Sequence, residues 1–78
     1  MLRISTDPEA DAIYIQLRAL PVSYTKELDD NRYIDYAEDG TPVGIDLLGV
    51  SEGVDLADLP ETATFVRVLE ELKLKVFA

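Results

Sequence analysis

Four residues stand where chemistry becomes available if the chain gathers them: Tyr14, Tyr33, Asp35 and Asp46. A carboxylate pair flanked by phenols can hold a divalent cation, or take and return a proton. The same set also serves as the solvated outer face of an antiparallel sheet, and tyrosine is enriched where proteins meet. A second group, Asp7, Glu9 and Asp11, has the 1-3-5 spacing of a calcium-binding loop. The rest of that loop is missing: its glycine position falls on Ala12 and its bidentate glutamate position on Arg18. Asp7-Pro8 therefore reads as a turn, in which the Asp7 carboxylate accepts from the backbone N–H of Glu9 or Ala10.

Other chemistries are excluded by composition. The chain has no histidine and no cysteine, so an imidazole base, an imidazole metal ligand and a thiol nucleophile are all lacking. No glycine-rich phosphate loop is present. No cofactor and no metal site is expected. Seven basic residues face sixteen acidic ones, a net charge of −9. Nucleic-acid affinity rests largely on Lys and Arg contacts to phosphate, so direct nucleic-acid binding is not expected. A basic protein partner or a cation is the natural complement, and plain solubility is the other use of such a charge. No apolar run approaches a membrane span, so no membrane association is expected. Without a secretory signal pattern, a cytoplasmic location is the default. The 78 residues suggest one domain over 1–78, small enough that self-association into a homodimer would help stabilise it.

The elements that must position these residues follow from hydrophobic period. Ile13, Ile15 and Leu17 alternate with Ala12, Tyr14 and Gln16, which makes Ala12–Arg18 a strand paired as a hairpin with Leu2–Thr6. Val22–Leu28 is extended with poor alternation, as an edge strand would be. Arg32–Glu38 and Thr41–Leu48 flank Asp39-Gly40, a strong signal for a two-residue hairpin loop with Gly40 at positive φ. That loop sets Glu38 opposite Thr41, Ala37 opposite Pro42, Tyr36 opposite Val43 and Ile34 opposite Ile45. One face is then Ile34, Tyr36, Val43, Ile45 and Leu47; the other is Tyr33, Asp35, Gly44 and Asp46. A helix over about 59–74 follows, with Asp58 as N-cap, Pro60 in its first turn and Glu61 completing a capping box. Phe65, Leu69, Leu72 and Val76 give it an apolar stripe, read as core or as a docking face. The tail Leu74–Phe77 is β-prone. The fold class is α+β: an antiparallel β-meander of about five strands with one C-terminal helix packed on the Ile34/Ile45 face.

Two phrases, RISTDPEADAIYIQL and EDGTPVGIDLLG, together resemble the YuzE-like family of short bacterial proteins, a domain of unknown function. The resemblance covers roughly residues 1–50. Thr6 stands where the family usually has an aromatic residue, and Asp46 where it usually has Glu. The resemblance implies a small β-rich fold, no settled activity and no catalytic residues. Some members look like one half of toxin–antitoxin pairs with a small basic partner. The expected function is accordingly a non-catalytic protein-interaction module, antitoxin-like toward a basic partner, which meets it through Tyr14, Tyr33, Asp35 and Asp46. The alternatives are a small-ligand or metal-binding protein or minor enzyme using the Asp35/Asp46 face, and a structural subunit that only homodimerises through Tyr14 and Leu48 or the Phe65 helix.

Overall fold

The computed structural model describes residues 2–77. Strands β1 (Arg3–Asp7), β2 (Ala12–Gln16), β3 (Tyr24–Asp29), β4 (Arg32–Tyr36) and β5 (Pro42–Leu48) form one antiparallel sheet. A single α-helix, α1 (Thr62–Glu71), packs on the face carrying Ile34 and Ile45, as the sequence pattern implies. A 3-10 turn at Val50–Glu52 leads into β6 (Val54–Asp55), which pairs in parallel with β7 (Val76–Phe77).

The strand order is β1-β2-β5-β4-β3, so β2 lies beside β5 and not beside β3 as in a sequential meander. Burial accounts for the order. Strands β2 and β5 bury Ile13, Ile15, Val43, Ile45 and Leu47 and take central places, whereas in β3 only Leu28 reaches the core. The chain crosses to the far edge over 17–23, where Leu17 N–H donates to the Val43 carbonyl and Ser23 N–H to that of Tyr36, both at 2.7 Å. The result is a Greek-key arrangement of β2 to β5.

The β4–β5 hairpin keeps the expected register at Tyr33↔Asp46, Ile34↔Ile45 and Asp35↔Gly44, then slips by one so that Tyr36 faces Pro42. The expected pairings Tyr36↔Val43, Ala37↔Pro42 and Glu38↔Thr41 do not form. The loop has three residues: Ala37 N–H donates to Thr41 O and Gly40 N–H to Ala37 O, both at 2.9 Å, with Gly40 at φ 89°. A turn followed by a left-handed glycine is the next most common way to close a hairpin. The extra β5 residue is absorbed as a bulge, which suits Pro42 because a proline cannot donate to a regular ladder. The freed Val43 carbonyl then accepts from both Leu17 and Arg18 N–H.

Asp7 behaves as the turn reading requires, its Oδ1 accepting from Ala10 N–H at 3.2 Å. Asp11 does more. It sits at φ 52° and accepts from Ser51 N–H (3.0 Å) and Ser51 Oγ–H (2.7 Å), which ties the first hairpin to the 3-10 turn.

The helix is shorter than 59–74, and the expected capping box does not form. Asp58 and Glu61 both have positive φ, and the Glu61 carboxylate leaves the helix end to take a two-pronged contact from Arg18. At the other end Lys73 is left-handed (φ 66°); its N–H donates to Glu70 O and Leu74 N–H to Leu69 O, a Schellman closure. The Phe65 stripe is therefore split. Phe65 and Leu69 are fully buried, Leu72 is 43% exposed at the helix end, and Val76 belongs to β7. Burial of Phe65 removes it as a docking residue.

Candidate functional site

Across the face of the sheet away from α1 the side chains stand in rows, two of which hold the candidate residues. Tyr14, Asp46, Tyr33 and Glu27 are successive partners in one row; Gln16, Gly44, Asp35 and Thr25 are successive partners in the next. The central pairing of β2 with β5 sets the rows side by side.

Tyr14 leans out of its own row into the other. Its hydroxyl donates to Asp35 Oδ2 at 2.7 Å, and the phenol passes directly over Gly44. A Cβ on residue 44 would lie 1.9 Å from the Tyr14 oxygen, so glycine is what permits the crossing. The second Asp35 oxygen, Oδ1, accepts from Thr25 Oγ1 at 2.6 Å. Burial, the hydrogen bond to Asp35 and the charges of Asp35 and Asp46 all hold the Tyr14 phenol protonated, well above the ordinary tyrosine range.

Asp46 is half-buried between Tyr14 and Tyr33. Burial, and then the charge of Asp35, push its carboxyl above the usual aspartate value. The Tyr33 phenol is also raised, first by the charge of Glu27 and then by burial. Among the described residues the ion pairs are Arg18–Glu61, Arg32–Asp29 and Arg32–Asp55, none of them on this face. Glu27, Asp35 and Asp46 thus share a surface with no cation against them; Arg3, opposite Gln16, stands at its corner.

Of the residues singled out in the sequence, Tyr14 and Asp35 are in direct contact, and Asp46 lies opposite both Tyr14 and Tyr33. The sequence pattern alone does not single out Thr25, Glu27 or the role of Gly44. A glycine interrupting the β5 alternation was the available signal, but its use depends on β2 being the neighbour. Among the described residues no group of three or more acids gathers as a metal-binding set. Asp7 and Asp11 are taken up by the turn and by Ser51. Tyr14 and Asp46 also line a shallow cleft of about 290 Å³ with Ser5 and Leu48.

Fold and site together define a small α+β protein with one helix-covered sheet face and one bare, acid-and-tyrosine face. The family model described as "Protein of unknown function (DUF2283)" matches residues 3–51, well over half the chain, and the protein belongs to that family. No curated protein and no solved structure matches it. Among the described residues no helix is long and apolar enough to cross a membrane.

Proposed function

We propose that this protein is a non-catalytic interaction module that holds a basic protein partner on its bare sheet face, antitoxin-like in the sense of neutralising that partner's charge. The observation that carries this reading is the placement of Glu27, Asp35 and Asp46 on one uncovered surface, with no ion pair to any of them among the described residues. Unpaired charge of one sign steers a complementary surface and sets the register of docking. Tyr14 and Tyr33 add broad amphipathic area at low entropic cost. A small-ligand or catalytic use of the face has less support, because both Asp35 oxygens already accept internal hydrogen bonds.

The test is a titration with a short Lys/Arg-rich peptide, followed residue by residue by NMR. Shifts are expected at Tyr14, Thr25, Tyr33, Gly44 and Asp46, with an affinity that falls as salt rises and is lost in Asp46→Lys. Shifts confined to α1, or binding indifferent to Asp46→Lys, would remove the proposal.

A further inference from the structure

The sheet has two free edges, β1 and β3. An uncovered edge offers a row of backbone donors and acceptors to another strand. When two copies extend each other's sheet about a two-fold axis, facing residue numbers have a constant even sum, so that both side chains lie on the same face. This condition separates the edges.

In β3 the registers that keep its length centre on Lys26 or Glu27, and each places a charge opposite itself. The irregularity between Glu27 and Asp29 breaks the ladder further. This edge is protected against its own kind. In β1 the full-length register centres on Ser5, a small neutral residue. Arg3 then comes opposite Asp7 of the second copy, and Asp7 opposite its Arg3, both pairs on the bare face. Ile4 comes opposite Thr6 on the helix side. Among the described residues Arg3 has no ion pair, and β1 is exposed except at Ile4.

The flanks agree with this register. One step further out, Leu2 comes opposite Pro8 of the second copy. Pro8, Leu72 and Leu74 line a groove of about 310 Å³ beside β1, while Leu2 and Leu72 stand 36% and 43% exposed. Each Leu2 would fill the mouth of the other copy's groove.

From this self-complementarity we propose that β1 is a homodimerisation edge: two copies pair β1 to β1, antiparallel about Ser5, into one continuous sheet. This is independent of the basic-partner reading, which rests on Glu27, Asp35 and Asp46 of β3, β4 and β5 and not on the β1 edge. A seam of five residues is short, so the dimer belongs at the weak end of the interface range.

Because the chain has no cysteine, a single introduced thiol reports the contact. Under mild oxidation Ser5→Cys should give a covalent dimer much faster than Lys26→Cys on the other edge. Wild-type protein should sediment as a reversible dimer between micromolar and millimolar concentration. Arg3→Asp should weaken that dimer by about tenfold or more, by setting like charges opposite each other, and Arg3→Asp with Asp7→Arg should restore it. A wild-type monomer throughout this range, equal cross-linking at both edges, or an Arg3→Asp dimer as tight as wild type would each overturn the proposal.

Discussion

The Tyr14–Asp35 hydrogen bond depends on an atom that is missing, the Cβ of Gly44. Tyr14→Phe leaves the packing and removes only the donor, so Asp35 keeps Thr25 alone; a loss of about 1–2 kcal/mol is expected for a partly buried bond to a carboxylate. Gly44→Ala should do similar damage by another route, expelling the Tyr14 ring. If the two variants are combined, their effects should not add, because both remove the same contact. Urea unfolding of the two singles and the double checks this. Asp46 gives a prediction of opposite sign. Its carboxyl titrates above the ordinary 3.8 in the folded chain. In the window just above that value the folded chain holds more protons than the unfolded one, so stability falls as pH rises through it. Above the window the ionised group remains a cost. Asp46→Asn should therefore raise the urea midpoint near neutral pH, and the gain should vanish by about pH 3, where the carboxyl is protonated in both states. A gain that persists at low pH would mean that packing, not charge, is responsible.

Among the elements, the β4–β5 hairpin shows how far local sequence reaches. The face assignment of Ile34, Ile45, Asp35 and Asp46 was legible because a period of two, once anchored, fixes every residue of a strand. The loop was not, because Asp39-Gly40 serves two- and three-residue closures alike; the choice lies with Pro42 and with the two donors just after β2, Leu17 and Arg18, that meet the Val43 carbonyl. Position 40 demands glycine in either closure, at φ 89°. Gly40→Val should cost about 1 kcal/mol or more, since a branched side chain resists the left-handed region; an unchanged urea midpoint would contradict the turn. The helix start departs from its sequence signal for a similar reason. Asp58, Pro60 and Glu61 have the composition of a capping box, but Arg18 at the crossing competes for the Glu61 carboxylate and wins. Strand order was the least legible feature, because β2 and β3 are adjacent in sequence and only the shared burial of β2 with β5 separates them. The Tyr14–Asp35 contact, which needs that order, was hidden with it.

Over the whole molecule, the question is what holds the C-terminal segment onto the sheet that carries the bare face. Two kinds of tie are present. Arg18 reaches Glu61 and the Pro42 carbonyl, and Arg32 reaches the carbonyls of Asp55 (3.0 Å) and Ala57. The second tie is apolar: Phe65 and Leu69, both fully buried, pack with Ile15, Ile34, Ile45 and Leu47. The Arg18–Glu61 pair is about one-third exposed on each side, and ion pairs so wetted contribute little. Truncating a buried phenylalanine costs about 3–5 kcal/mol. A chain of 78 residues has on the order of 4–12 kcal/mol of stability in all. Phe65→Ala should therefore remove a large share of the total, while Arg18→Ala should shift the urea midpoint only slightly. Because the residues under Phe65 belong to the same strands that present Tyr14, Asp35 and Asp46, the loss should not stay local. In Phe65→Ala the NMR signals of the bare face and of the core should disappear together, in one transition at lower urea than wild type. A bare face that outlasts the core in that variant would show that the sheet stands without its helix, and a large loss in Arg18→Ala would show that the ion pair is the tie.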